Sequence, residues 1–111
     1  MVRELSLQGY SVRACIRDGE SWRGRDAIGY LQTLPNVEIV DGCDLFEHGS
    51  YHEAFSGCSA VFHIATVSSN SLTTQPKGSG NVSEDVYNGL VEGTKNVVEA
   101  INASNTVRRL L

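Results

Sequence analysis

Long hydrophobic runs, a signal peptide and an excess of basic residues are all lacking in this 111-residue sequence. No apolar run approaches the roughly 20 residues of a membrane-spanning helix, and the first residues have no apolar signal-peptide core. Nine Lys and Arg stand against 13 Asp and Glu, for a net charge of -4, whereas a nucleic-acid binder is usually basic. We therefore expect neither a membrane partner nor a nucleic-acid partner.

Paired cysteines and metal-ligand clusters are lacking too. Cys15, Cys43 and Cys58 are odd in number and form no C-x-x-C. Such a set favours separate thiols in a reducing compartment, so we expect a cytoplasmic protein. His48 and His52 have metal-like spacing on a predicted helix, but no third ligand accompanies them, so no metal site is expected.

Strand-like and helix-like segments alternate along the chain. Alternating or continuous apolar residues predict strands at 10–17, 37–40 and 60–65, with a further strand opening at 107–111. Amphipathic spacing predicts helices at 2–8, 26–34, 48–55 and 83–105. Residues 18–24 are predicted as a polar loop, and 66–80 as a long Ser/Thr/Asn/Gly-rich loop. This order predicts one α/β domain with a parallel sheet.

Polar or small residues follow the predicted strands. Asp44 comes shortly after the strand at 37–40, and the segment 63–66 closes the strand at 60–65. In parallel sheets, ligands bind at the carboxyl ends of the strands. The sequence therefore predicts a nucleotide-type cleft at this edge.

Five segments resemble the extended short-chain dehydrogenase/reductase superfamily, and within it the dihydroflavonol and cinnamoyl-CoA reductase group. In chain order they are Gly9–Asp18, Gly42–Leu45, Gly57–Thr66, Val91–Ala100 and Val107–Leu110. The resemblance implies a Rossmann-type doubly wound parallel sheet and an NADP-dependent oxidoreductase acting on a carbonyl or alcohol group of a small molecule. The 3β-hydroxysteroid dehydrogenases and nucleotide-sugar epimerases share these motifs and are the alternatives.

Two motifs of that superfamily do not occur in the sequence, the G-x-x-G-x-x-G turn and the catalytic Tyr-x-x-x-Lys. By resemblance the first belongs before residue 1 and the second after residue 111, so residues 1–111 are expected to be an internal, partial Rossmann domain. We expect such a piece to contain no catalytic residue and to be inactive alone. A non-catalytic remnant with at most weak nucleotide binding is therefore the second hypothesis.

The strand order of that fold identifies two weak edges. In the order 3-2-1-4-5-6, strand one lies between strands two and four. Without it, the segments 10–17 and 60–65 are each expected to lack a partner along one edge. Unpaired buried backbone groups are destabilising, so these edges should be the weak point of the sheet.

Arg17 is the main candidate for cofactor choice. It ends the strand at 10–17, where an arginine favours the 2′-phosphate of NADP and an acidic residue favours NAD. A guanidinium grips phosphate through a bidentate fork, and Arg23 and Arg25 follow in the predicted loop. The alternative interpretation is three solvated surface arginines. We expect NADP, with NAD less favoured.

Four further residues are candidates for contacts to the same nicotinamide dinucleotide. By resemblance, Asp44 would accept a hydrogen bond from the adenine amino group and the Leu45 N–H would reach a ring nitrogen; the alternative is an Asx-turn aspartate. Ala65 and Thr66 are small enough to let the backbone approach a ribose or pyrophosphate. The resemblance also implies that any homodimer forms through the helix at 83–105.

Overall fold

A computed structural model of the chain describes residues 1–64 and 82–111. It divides the chain into two compact units, Met1–Asp44 and Leu45–Leu111. Each unit contains one pair of parallel strands together with helices, so the predicted α/β class is confirmed. Among the helices of the described ranges, none has the length and apolar character needed to cross a membrane.

The first unit is built around two paired strands. Its elements are α1 (Val2–Leu7), β1 (Val12–Cys15), α2 (Trp22–Leu31) and β2 (Val37–Val40). β1 and β2 run parallel, with Val12 opposite Val37 and Cys15 opposite Val40. Gly9 follows α1 with a φ of +90°, a left-handed conformation that favours glycine after the end of a helix. The strand at 37–40 is confirmed to the residue.

Helix α2 begins and ends earlier than predicted. It starts at Trp22 rather than at residue 26, because Ser21 caps it: the Ser21 side chain accepts a hydrogen bond from the Gly24 N–H. Thr33 and Leu34 donate to Tyr30 and Leu31, a tighter turn than the α-helix, so the last predicted residues 32–34 lie outside α2.

The second unit packs a long helix against short elements. Its elements are α3 (His52–Phe55), β3 (Ala60–Val61), α4 (Val82–Ser104) and β4 (Arg109–Leu110). β3 and β4 are parallel, with Ala60 opposite Arg109. The buried apolar side chains of this unit belong to Leu45, Tyr51, Ala54, Phe55, Val61, Val97 and Ala100. The predicted helix at 83–105 is confirmed with a shift of one residue at each end.

Two predicted elements of this unit are shorter in the structure. The helix predicted at 48–55 begins only at His52, because Gly49 has a left-handed φ of +85°. The residues before His52 instead form turns with hydrogen bonds between residues three apart, such as the bond from the Ser50 N–H to the Glu47 carbonyl (3.2 Å). The strand predicted at 60–65 is β3, which is only as long as its partner β4. The end of that prediction, residue 65, and the loop predicted at 66–80 lie outside the described residues.

The strand pairs match the resembled topology in part. β1–β2 and β3–β4 are the two neighbour pairs that the order 3-2-1-4-5-6 leaves when strand one is taken away. The expected doubly wound sheet is therefore represented by two separate two-stranded sheets. Each of these pairs lies within one unit, β1–β2 in the first and β3–β4 in the second.

Candidate functional site

The carboxyl ends of β1 and β2 lie side by side in the first unit. The Ile16 N–H donates to the Val40 carbonyl (2.9 Å), and the Cys43 N–H donates to the Ile16 carbonyl (3.0 Å). Both backbone groups of Ile16 are thus bonded to the neighbouring chain segment. Arg17 comes next and is exposed. β1 is shorter than the predicted strand at 10–17, so Arg17 does not end the strand but lies two residues beyond its last residue, Cys15.

The loop that follows Arg17 packs against the first turn of α2. The Asp18 carboxylate accepts from the Glu20 N–H (3.0 Å), and the Ser21 hydroxyl donates to the Asp18 carbonyl (2.9 Å). A Cβ on Gly24 would lie 1.9 Å from that carbonyl oxygen, so only glycine allows α2 to approach this closely. The segment predicted as a loose polar loop is therefore tightly fixed.

A carboxylate from the end of β2 also fixes this loop. Asp41 Oδ1 accepts from the Gly19 N–H (2.9 Å) and from the Gly42 N–H (2.7 Å). Gly42 has a φ of +78°, a conformation suited to glycine. The sequence analysis did not select Asp41. The Asp-Gly pair is a turn signal, but it does not reveal that the carboxylate binds Gly19.

Three arginines lie between residues 17 and 25. Arg17, Arg23 and Arg25 are all exposed, and no carboxylate forms an ion pair with them in the part of the chain that the structure describes. The Arg23 guanidinium lies 5.1 Å from the ring centroid of Trp22, whose side chain is 71% exposed. Unpaired guanidinium groups of this kind are suited to binding a phosphate.

Asp44 and Leu45 differ in their surroundings. Asp44 is half-buried and ends the first unit, whereas Leu45 begins the second unit and is only 8% exposed. The Asn96 side-chain amide donates to the Leu45 carbonyl (2.8 Å). The Leu45 N–H, the group expected at the adenine, donates to no backbone acceptor in the described ranges.

Helix α4 fixes Leu45 through one glycine and one amide. A Cβ on Gly93 would lie 2.4 Å from Leu45 Cγ, so the absence of a side chain at 93 lets the leucine pack against the helix. Gly93 and Asn96 are three residues apart and share a helix face with Val97 and Ala100, all of them buried. The sequence analysis missed both residues. A small and a polar residue on an apolar helix face is the signal that could have found them.

The remaining candidates carry less structural information. Ala65 and Thr66 lie outside the described residues. His48 and His52 have ring centroids 6.2 Å apart, and His48 Nε2 lies 2.5 Å from Glu99 Oε2 on α4. Across residues 1–64 and 82–111, no group of three His, Cys, Asp or Glu side chains is placed to hold a metal ion.

The amino-acid sequence of this chain is similar to those of several known reductases. No family model matches the chain. A dihydroflavonol 4-reductase of Zea mays is 33% identical over 115 residues, which cover 100% of this chain and 29% of the maize protein. A dihydroflavonol 4-reductase of Medicago sativa is 31% identical over 111 residues, 48% of its length. An anthocyanidin reductase of Arabidopsis thaliana is 28% identical over 111 residues, 30% of its length.

The chain thus spans less than half the length of each of these relatives, while the similarity covers the whole of the chain. The strand pairs of both units agree with the order of strands expected from the resemblance. These matches show that the chain is homologous to part of the dihydroflavonol and anthocyanidin reductases, which are members of the extended short-chain dehydrogenase/reductase superfamily.

Proposed function

We propose that the chain is the adenosine-binding part of an NADP-dependent oxidoreductase, which moves a hydride between nicotinamide and a carbonyl or alcohol group of a small molecule. Two lines of support exist. The relatives that match the chain are named as reductases. In addition, Arg17 lies at the carboxyl end of a parallel strand, where the ribose end of a dinucleotide binds in this class of fold.

The placement of Arg17 carries the NADP part of the proposal. A phosphate on the ribose 2′ position adds negative charge and several acceptor oxygens, and an exposed guanidinium meets both requirements. Arg23 and Arg25 in the first turn of α2 add positive charge nearby in the sequence. An acidic residue at position 17 would instead favour the ribose hydroxyls of NAD. Arg17 therefore weighs against the NAD-using epimerases as the parent group.

Asp44 and Leu45 are proposed to hold the adenine. Asp44 follows β2 in the first unit, and a carboxylate there can accept a hydrogen bond from the exocyclic amino group. The Leu45 N–H is a donor without a backbone acceptor in the described part of the chain, which suits a ring nitrogen. Ala65 and Thr66 keep their predicted role beside the ribose or pyrophosphate as a proposal.

The chain by itself is proposed to bind nucleotide weakly and to catalyse nothing. No tyrosine in the sequence has a lysine four residues later, so the proton donor and its partner lysine are not among these residues. With NADPH and a carbonyl substrate, the 111-residue chain should oxidise no more cofactor than a heat-treated control. Turnover above that control would contradict this part of the proposal.

Homodimer formation through α4 also remains a proposal. From residue 84 onwards, where the structure describes the side chains, the helix exposes the large apolar side chains of Tyr87, Leu90, Val91 and Val98. Sedimentation of the wild-type chain and of a Tyr87→Glu variant would test it. We expect the variant to be the smaller species, and equal sedimentation of both chains as monomers would contradict the dimer.

The cofactor proposal is tested with two isomers of the same nucleotide. 2′-AMP and 5′-AMP have the same composition and differ only in the position of the phosphate. Trp22 is the one tryptophan of the chain and lies in the first turn of α2, so its fluorescence is a local reporter of binding. We expect the wild-type chain to bind 2′-AMP more tightly than 5′-AMP.

Two variants show whether Arg17 causes that preference. Loss of a hydrogen bond to a charged group weakens binding by about tenfold or more, so Arg17→Ala should weaken 2′-AMP binding by that factor and leave 5′-AMP binding unchanged. Arg3→Ala is the matched control, because Arg3 is an exposed arginine of the same unit on α1. Equal affinity of the wild-type chain for both isomers would contradict the proposal.

A further inference from the structure

We infer that Asp41 is a positioning residue for Arg17, and that it sets the preference for a 2′-phosphate without touching the nucleotide. This inference rests on the proposed role of Arg17. Asp41 follows the last residue of β2 and is exposed. Its carboxylate accepts hydrogen bonds from the N–H groups of Gly19 and Gly42.

Arg17 lies between two anchored residues. On one side, Ile16 is bonded through its N–H and its carbonyl to Val40 and Cys43. On the other side, Gly19 is held by the Asp41 carboxylate at 2.9 Å. Asp41 therefore supplies one anchor on this side of Arg17, in addition to the hydrogen bond between the Ser21 hydroxyl and the Asp18 carbonyl, and so helps to determine where the Arg17 backbone lies.

The contact between Asp41 and Gly19 is close and specific. A Cβ on Gly19 would lie 2.5 Å from Asp41 Oδ2, so a side chain at residue 19 would force the carboxylate to shift. If Asp41 lost its oxygens, the Gly19 N–H would lose its hydrogen-bond acceptor. The loop before α2 would then gain conformational freedom. Ordering that loop again when a ligand binds would lower the affinity.

The charge of Asp41 acts in the opposite direction. A carboxylate near the binding position repels a phosphate, although salt screens such exposed charges beyond roughly 10 Å. An asparagine keeps the side-chain oxygen that accepts the two hydrogen bonds and removes the charge. Asp41→Asn and Asp41→Ala together therefore separate positioning from repulsion.

The experiment measures the affinity for 2′-AMP and for 5′-AMP through Trp22 fluorescence. Reordering the loop on binding should lower affinity about as much as immobilising one long side chain does, about threefold to tenfold, so we expect this loss for 2′-AMP in Asp41→Ala, with 5′-AMP binding unchanged. The affinity of Asp41→Asn for 2′-AMP should stay close to that of the wild-type chain. Asp26→Asn is the control, because it removes one exposed carboxylate from α2 in the same unit.

A general loss of structure would weaken the binding of both isomers. The ratio of the affinities for 2′-AMP and 5′-AMP is therefore the diagnostic quantity. Amide exchange at Gly19 adds a second measurement: it should be faster in Asp41→Ala than in Asp41→Asn. Should Asp41→Ala fail to fold, the wild-type chain still gives a test. Its Gly19 amide should already be protected before 2′-AMP is added, and protection that arises only with ligand would overturn the inference.

The outcomes separate this inference from the proposed function. Failure of the wild-type chain to prefer 2′-AMP would overturn both. A preference that Arg17→Ala removes and Asp41→Ala retains would overturn the inference alone. Equal losses in Asp41→Asn and Asp41→Ala would show that the hydrogen bonds accepted by the side-chain oxygen do not position Arg17, and would overturn the inference. Tighter 2′-AMP binding in both variants would show that Asp41 only repels phosphate.

Discussion

The two units hold their irregular segments in place in different ways. In residues 1–44, the fixed points are backbone groups and polar side chains: Gly24 against the Asp18 carbonyl, and Asp41 on the Gly19 N–H. In residues 45–111, the fixed point is the buried Leu45 side chain against Gly93. A backbone carbonyl bonded into a loop cannot move aside, whereas a side chain can change rotamer. The first arrangement should therefore tolerate substitution less well.

Burial differs between the units as well. The buried apolar residues of the first unit are only Ala14 and Cys43, both small, whereas the second unit buries two aromatic rings, Tyr51 and Phe55, stacked with centroids 5.3 Å apart. Apolar burial is the main favourable term in folding. The first unit consequently depends more on its hydrogen bonds and close backbone contacts than the second unit does.

The largest effect is expected from Gly24→Ala. The added methyl would lie 1.9 Å from the Asp18 carbonyl oxygen, so we expect the free energy of unfolding to fall by about 3 kcal/mol, the upper end for overpacking. Urea unfolding followed by Trp22 fluorescence measures it. Gly29→Ala is the matched control in α2, because nothing lies within 4 Å of its Cβ position. It should stabilise by about 0.5–1 kcal/mol. Similar effects of both variants would contradict the close packing of α2.

Gly93→Ala should have a smaller effect, since the atoms it meets belong to a side chain. We expect the free energy of unfolding to fall by about 2 kcal/mol. Unfolding is monitored by far-UV circular dichroism, because α4 contributes the most helical residues to that signal. Combination with Leu45→Ala tests the contact directly. The double variant should lose less unfolding free energy than the two single variants lose together, because the new methyl group occupies space that the leucine side chain leaves. Strict additivity would show that residues 45 and 93 do not contact each other.

Asn96→Ala tests the polar contact of the same helix. The Leu45 carbonyl would lose its buried donor, and such a loss is worth about 1.5 kcal/mol. Asn102→Ala is the control, because Asn102 is an exposed asparagine of α4. We expect the Asn102 variant to unfold with the wild-type transition. Equal unfolding transitions for the Asn96 and Asn102 variants would mean that the Asn96 side-chain amide contributes nothing to the stability of the second unit.

The smallest expected effect is a pattern of amide exchange next to β3. The His63 N–H donates to the Leu111 carbonyl (2.8 Å), whereas the Phe62 and Ile64 N–H groups have no backbone acceptor in the described chain. Amides without a partner open to solvent most readily, so residues 62 and 64 should exchange about tenfold faster than residue 63. Uniform protection of all three would show that another strand covers this edge.

Local patterns explain which elements could be predicted. The strand at 37–40 and the long helix at 83–105 follow from apolar periodicity, and both occur in the structure. The start of α2 could not be predicted from periodicity, because it depends on the Ser21 cap, whose side chain accepts from the Gly24 N–H. The short α3 depends on the left-handed conformation of Gly49. In each case a specific contact or backbone conformation overrode a reasonable local pattern.

The candidate site divides in the same way. The position of Arg17 after a strand followed from the alternating pattern before it, and the pairs β1–β2 and β3–β4 followed from the resembled strand order. By contrast, Asp41 and Gly19 are 22 residues apart in the chain, and Leu45 and Asn96 are 51 apart. No local pattern links residues at such separations.

The sequence by itself determined the α/β class, the order of the elements and the superfamily, because periodicity and motif order are properties of neighbouring residues. Only the tertiary structure decided which residues fix the loop after β1 and the segment around Leu45. The parallel register sets Cys15 opposite Val40, so that Asp41 at the end of β2 reaches the loop after β1. The absence of side chains at Gly19 and Gly93 then allows those contacts to form.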